Sequence, residues 1–319
     1  MVDTALGQLV RVDPKTGAKK MVAQLKPSLD NLAIDDKDRI FVSNMADNGI
    51  QEVDAETGAA KQVISGKLAL PGGIGVVSDG GKDTIYVADV FAYRTVDGAT
   101  GEVSEPARMH AAGVTLEYPM SATAKGDEVI LSSWFTGTVQ VIDRKTGATR
   151  EMMHDFKAPH DAVRLADGSI LVSELGSKSL VRASGEHGKD RNVLIGGLEG
   201  PVGLVGADVY VTEAFAGQLS RVGSNGEKTV IAKDLKMPEG IALTPDGKLI
   251  VAEVGAKRIV EIDPQTGKLT EIAGNLPIGL AGAPGGLPTN IPTGVGVGAS
   301  GVIYFSSDIE NAIYKVVRK

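Results

Sequence analysis

The sequence predicts an all-β chain folded as one β-propeller spanning residues 1–319, with seven four-stranded blades. Two observations carry that expectation. A unit of about forty residues recurs from one end to the other, and glycine is in excess. There are 41 glycines in 319 residues, where average usage is roughly 7%. Such an excess suits a fold built on tight turns, because glycine takes positive φ without steric cost.

The repeat is clearest at an Asp-x-x-Thr-Gly turn, found at Asp13–Gly17, Asp54–Gly58, Asp97–Gly101, Asp143–Gly147 and Asp263–Gly267. Degraded copies stand near Ser184–Gly188 and Gly223–Gly226. Each turn follows a short alternating run, such as Val139-Gln140-Val141-Ile142 or Ile259-Val260-Glu261-Ile262. Period-two alternation closed by Asp and Gly marks a half-buried strand entering a hairpin. Upstream lies a more apolar strand, for example Ile170-Leu171-Val172 or Leu249-Ile250-Val251. Before it comes a strand of small residues opened by Pro-x-Gly, as in Pro238-Glu239-Gly240. Each unit therefore gives four strands, a to d, and no stretch shows helical periodicity.

Counting strands gives 29, one more than seven blades need and three fewer than eight need. Seven blades fit best, with six or eight fitting less well. In that count the N-terminal d strand (Lys19 to Ala23) pairs with the C-terminal blade and closes the ring, removing exposed edges. The Gly- and Pro-rich stretch from Gly274 to Asn290 reads as an inserted loop.

Composition narrows the function. The net charge of −7 argues against nucleic acid, whose phosphates need clustered Lys and Arg. No apolar run approaches the ~18–20 residues that span a bilayer, so the chain reads as soluble and away from membranes. Cysteine is absent, which rules out disulfides and thiolate chemistry. Met1 falls inside a repeat unit and no signal peptide precedes it. The sequence thus leaves open a periplasmic or secreted protein whose leader was removed, or a cytoplasmic one. A monomer acting on a small-molecule substrate is expected.

Strand direction decides which residues converge. Residues entering strand a and leaving strand b share one face, here called the top, and the Asp-x-x-Thr-Gly turns fall on the other. The entrance ring is Asp30, Gly72, Met120, His160, Val202, Glu239 and Thr293. His160 is one of only four histidines, and His110 lies in a d-to-a connection on the same face. The exit ring is Asn44, Asp89, Trp134, Glu174, Glu213, Glu253 and Ser307. Its repeated acids suit a structural role in accepting backbone N–H bonds, and Trp134 with Phe135 suits an apolar wall. Several carboxylates round one channel repel one another unless a cation or protons offset them, which motivates a divalent metal site at Asp30, Glu239 and Glu213. Gly-x-Ser-x-Gly, Walker and His-Glu-x-x-His motifs are missing, and Gly294-Val295-Gly296-Val297-Gly298 opens no helix, so no dinucleotide fingerprint is present.

The unit Pro238–Glu253, followed by Arg258–Asp263, resembles NHL repeats and the senescence-marker-protein/gluconolactonase/strictosidine-synthase-like propellers. The gluconolactonase resemblance implies six blades and an axial divalent ion held by Glu, Asn and Asp at strand-a entrances. Asp30 and Glu239 fall at matching places, and Asn31 is the nearest stand-in for the Asn. A second resemblance, carried by Pro159-His160-Asp161 at a strand-a entrance, is to the streptogramin B (virginiamycin B) lyase family. It implies seven blades and ring opening by elimination. Together these readings predict a metal-assisted, lactonase-like hydrolase opening a lactone or ester-like ring on the top face. In it Ca²⁺ binds Asp30, Glu239 and Glu213, and His160 or Glu239 is the general base. Substrate contacts then fall to Trp134, Phe135, His110, Asn44, Asp89, Glu174 and Glu253. The alternatives are a lyase using the same residues, or a non-catalytic scaffold for protein, peptide or glycan.

Overall fold

The computed structural model describes residues 1–206, 208–280 and 291–317. Two short 3-10 turns, Glu186–Gly188 and Val254–Ala256, interrupt a structure otherwise made of strands. The first sheet holds β1 (Val2–Asp3), β2 (Gln8–Val12) and β3 (Lys19–Gln24); the second holds β4 (Leu29–Ile34), β5 (Ile40–Asn44), β6 (Gly49–Val53) and β7 (Ala60–Ile64). The third has β8 (Ile74–Asp79), β9 (Lys82–Asp89), β10 (Ala92–Asp97) and β11 (Val103–Arg108), and the fourth β12 (Ser121–Lys125), β13 (Glu128–Ser133), β14 (Thr138–Asp143) and β15 (Thr149–Met153). Next come β16 (Pro159–Arg164), β17 (Ile170–Glu174), β18 (Ser179–Ser184) and β19 (Asp190–Ile195), then β20 (Pro201–Val205), β21 (Val209–Glu213), β22 (Gln218–Val222) and β23 (Lys228–Ala232). The seventh sheet holds β24 (Pro238–Leu243), β25 (Leu249–Glu253), β26 (Arg258–Ile262) and β27 (Leu269–Ala273). The eighth holds β28 (Val295–Val297), β29 (Ile303–Ser307) and β30 (Ala312–Val316). All pairings are antiparallel and join neighbours in sequence.

The turn chemistry is the one the repeat implies. Asp54 Oδ1 accepts the N–H groups of Glu56 and Thr57, and Asp13, Asp97, Asp143 and Asp263 do the same in their turns. The glycine closing each turn has φ between 69° and 72°, a region costly for any residue with a Cβ. These carboxylates are turn formers.

Six sheets share apolar cores with their neighbours in a closed cycle. Ile130, Val139 and Met153 of one sheet pack on Ala162, Ile170 and Val172 of the next. Comparable clusters join each later pair up to the eighth sheet. Tyr86, Ala88 and Tyr93 of the third sheet pack on Ala122, Val129 and Leu131 of the fourth, and Ile74, Ile85 and Val87 of the third meet Tyr304 of the eighth, which completes the circle. Each fully buried aliphatic side chain contributes roughly 1.5–3 kcal/mol. Accordingly β8, β12, β16, β20, β24 and β28 contact one another in turn round a central channel, with β28 returning to β8.

This corrects two expectations. The seventh a strand, β4, lies outside the channel, where Asp30 and Asn31 are exposed. The first two sheets pack on each other through Leu9, Leu29, Ile40 and Val42. They meet the third sheet through polar contacts: Arg94 pairs with the Ala46 carbonyl, and Arg108 pairs with Asp47. Four channel strands carry glycine (Gly73, Gly203, Gly240 and Gly294) where β4 has Asn31, and their backbones approach closely there. A Cβ on Gly240 would sit 2.3 Å from the Thr293 carbonyl, and one on Gly203 would sit 2.5 Å from the Glu239 carbonyl. Second, β3 pairs with β2 and not with the C-terminal sheet, which has three strands among the described residues. Of the expected insertion from Gly274 to Asn290, residues 281–290 lie outside the described residues.

Candidate functional site

Each a strand begins opposite the end of its b strand: Pro159 faces Glu174, Pro201 faces Glu213 and Pro238 faces Glu253. The register slips just after these prolines, between Pro159 and Asp161, Pro201 and Leu204, and Pro238 and Ile241. Such bulges re-aim side chains. His160 and Asp161 both line the channel.

The channel is a cavity of about 220 Å³. Glycine, Ser, Thr, Ala and aliphatic residues make up most of its wall, and His160 and Asp161 are its only titratable lining residues among those described. His160 is buried, and neither Nδ1 nor Nε2 has a protein hydrogen-bond partner. Burial pulls its pKa down to about 4, so the imidazole is neutral at pH 7. Asp161 is held from three sides. Its Oδ1 accepts from Ser121 Oγ (3.2 Å), Thr123 Oγ1 (2.9 Å) and its neighbour Ala162 N (2.8 Å), while Oδ2 accepts from Leu204 N (2.9 Å). Burial still outweighs those bonds and raises its pKa to about 6. Thr293 completes the polar set, and its buried Oγ1 is likewise without a protein partner.

Glu239 is buried beside this group, with Oε2 accepting from Thr293 N at 2.7 Å. The other proposed metal ligands are elsewhere. Asp30 is exposed and lines an outer cavity with Ser43, Asn44 and Phe91. Glu213 binds Glu199 N, Gln218, Ser220 and the Lys228 ammonium. Although its burial acts to raise the pKa, those bonds hold it below the usual value. Among the described residues no group of three or more His, Asp or Glu side chains is arranged to hold a metal ion. The trio Asp30, Glu213 and Glu239 therefore does not fit the expected calcium site.

The exit-ring acids have a common structural role, which is to hold the connection that leads into strand a. Glu174 Oε1 accepts from Lys157 N, Glu253 Oε1 from Lys236 N, and Asp89 from Ala69 N and Leu70 N. Asn44 caps the same connection from the donor side, through the Lys26 and Pro27 carbonyls. Asp308 does the equivalent for Gly279 and Leu280, one position beyond the expected Ser307. Asn44, Asp89, Glu174 and Glu253 thus act on their own backbone and are not part of the channel wall. His110 sits half-buried in its connection with φ 65°, also away from the channel wall.

An aromatic cluster stands close to the channel strands. Trp134 and Phe135 meet edge to face with centroids 6.0 Å apart, Phe135 meets Tyr118 at 5.2 Å, and Tyr118 meets Phe91 at 6.1 Å. Phe91, Tyr118 and Trp134 pack around Met120 and Ile291, which adjoin the channel residues Ser121 and Pro292 in sequence. Phe135 is 62% exposed. The sequence pointed to Trp134 and Phe135 but not to Tyr118 and Phe91, which sit in connections with no repeat signal.

No protein-family model and no curated protein sequence matches the chain. Similarity to solved structures is extensive. The chain resembles a catalytically inactive His-to-Ala variant of virginiamycin B lyase from Staphylococcus aureus with quinupristin, at 16% identity and a TM-score of 0.52 over 92% of this chain and 95% of that one. The WD40 β-propeller domain of Doa1 aligns at 16% identity and TM-score 0.57, over 90% of this chain and 91% of that one. A structural-genomics protein from Bacteroides thetaiotaomicron VPI-5482 aligns at 13% and 0.58, over 98% and 91%. The fold is a β-propeller. At these identities the likeness speaks for the propeller architecture alone, and chemistry has to be argued from the channel.

Proposed function

We propose that the protein is a propeller lyase that opens an ester-linked ring by elimination at the channel mouth, with His160 as general base. One observation carries this reading: a buried, neutral imidazole lines the channel with both ring nitrogens unpaired by protein. A neutral imidazole offers a lone pair that takes a proton without first losing one. The cavity, about 220 Å³, is smaller than the ~300–1,000 Å³ typical of ligand pockets. A cyclic substrate would therefore rest on Trp134, Phe135, Tyr118 and Phe91 and present one C–H bond to His160. Removal of a proton α to a carbonyl forms a C=C bond as the β carbon–oxygen bond breaks, and the ester leaves as a carboxylate. A similar propeller, virginiamycin B lyase, is catalytically inactive when a histidine is replaced by alanine, which makes His160 the first residue to test. Metal-assisted hydrolysis, the leading expectation from sequence, has less support, because its three proposed ligands do not gather.

The test is mass spectrometry of a cyclic depsipeptide such as quinupristin after incubation with the protein, with Ca²⁺ and with chelator. Elimination opens the ring at unchanged mass and adds an alkene absorbance, whereas hydrolysis adds one water. His160→Ala is expected to lower turnover at least 10²-fold while the melting temperature stays within a few degrees. Water incorporation would replace this reading with the hydrolase, and binding without turnover would replace it with a scaffold.

A further inference from the structure

Three buried groups on the channel wall have hydrogen-bonding capacity that the protein leaves unused. His160 Nδ1 and Nε2 and Thr293 Oγ1 have no partner, and Asp161 Oδ2 accepts only Leu204 N while Oδ1 takes three donors. Buried polar atoms are nearly always satisfied by protein or ordered water, and an orphan costs about 1–3 kcal/mol. All three residues line one cavity, and its volume exceeds many times the ~10–15 Å³ that one water requires. The wall also sorts what enters. Among the described residues no Lys or Arg lines it, so an anion finds no counter-charge. The far end is ringed by Val76, Ala124, Val205, Leu243 and Val297, an apolar collar that confines polar contents to the half holding His160 and Asp161.

We propose that this half of the channel binds a short file of ordered water joining His160, Thr293 and Asp161, and that Asp161 accepts through it the proton His160 removes from substrate. The inference rests on the reading of His160 as the base. The proton leaves the substrate carbon for the imidazole, and the imidazolium passes a proton to water. That water gives one to Asp161 Oδ2, and the neutral acid releases it to solvent once product leaves the mouth. No other reactant is required, and the imidazole is neutral again for the next cycle. The transfer runs downhill, since Asp161 holds a proton more tightly than His160 does. Two other titratable groups sit on channel strands close by in sequence and register: Glu239 of β24, bonded to Thr293 N, and Arg164 at the end of β16, paired with Glu128. Neither residue lines the cavity.

The test reads water and titration separately from turnover. A high-resolution crystal structure is expected to show waters within hydrogen-bond distance of His160, Thr293 Oγ1 and Asp161. Carboxyl ¹³C NMR is expected to show Asp161 titrating near pH 6 in the wild type and shifting by at least half a unit in His160→Gln. Asp161→Asn should lower kcat at least tenfold with KM little changed and remove the limb near pH 6 from the pH profile, and Asp161→Glu should restore part of both. A dry channel, or an Asp161 that titrates normally and ignores His160, overturns the water file. Waters and coupled titration without turnover on any ring substrate uphold the file and overturn the base reading instead. A wild-type pH profile in Asp161→Asn overturns the relay alone.

Discussion

Side by side in the channel stand a histidine that resists protonation and a carboxylic acid that resists ionisation, and both owe this to burial. Their effects on stability oppose one another. His160, about 4 when folded against 6.5 in a free chain, stabilises the fold above pH 6.5 and loses that contribution as pH falls towards 4. Asp161, about 6 against 3.8, stabilises the fold below pH 4 and loses its contribution as pH rises through 6. At about 1.4 kcal/mol per pKa unit each term is on the order of 3 kcal/mol, so they nearly cancel in the wild type. Chemical denaturation from pH 4 to 7 is expected to expose them singly. Relative to wild type, His160→Ala should lose stability as pH rises and Asp161→Asn should gain it, and parallel curves for all three proteins would refute the pairing. His160 was legible in the sequence as a rare residue at a strand entrance. Asp161 was hidden, because the partners that hold it in the channel, Ser121, Thr123 and Leu204, come from neighbouring strands about forty residues away in sequence. The exit-ring acids were legible as a repeated structural feature, but the connections they hold lie about twenty residues upstream in sequence, beyond the reach of a local pattern.

At the scale of a strand, the Pro-x-Gly opening solves a packing problem. Six strands converge on one axis, and their backbones approach so closely that side chains fit only where neighbours are small. Gly240 shows this best, since a Cβ there would meet the Thr293 carbonyl at 2.3 Å, Val295 N at 2.9 Å and Gly294 Cα at 3.0 Å. All three are backbone atoms and cannot rotate away. Gly240→Ala is therefore expected to destabilise by about 1–3 kcal/mol or more through overpacking, and to widen the channel between β24 and β28. Gly196→Ala is the control, because no atom lies within 4 Å of the added methyl and its φ is unexceptional. Thermal denaturation of the two variants decides the matter, and equal melting temperatures would show that the strands have room to part. The strand count treated every a strand alike, yet β4 shares its core with the first sheet and lies outside the channel.

At the scale of the molecule, two kinds of contact hold the chain together. Around the channel, each sheet meets the next through an aliphatic core, and the circle closes between the third and eighth sheets. The first two sheets share a core of their own but join the third largely through ions and hydrogen bonds. Arg94 reaches the Ala46 carbonyl and Arg108 pairs with Asp47 across the junction, while Asp89 (2.5 Å from Arg94) and Glu105 (2.7 Å from Arg94, 2.8 Å from Arg108) hold both guanidinium groups from within the third sheet. Ser28 Oγ adds a bond to the Met109 carbonyl at 2.9 Å. Both arginines are almost wholly buried, but Asp47 and Glu105 keep 22% and 24% of their side chains exposed, so losing Arg108 costs less than the ~3–5 kcal/mol of a fully buried broken pair. That cost falls on one junction and spares the closed circle of cores, so Arg108→Met is expected to divide one unfolding transition into two. Hydrogen exchange should then quicken across residues 1–64 while β16 to β27 keep their protection. Limited proteolysis should cut first in the exposed link at Ser65 to Lys67, which joins the two parts. A single cooperative transition, with protection lost evenly along the chain, would instead mean that all eight sheets fold as one unit and that the polar junction transmits stability as well as the aliphatic cores do.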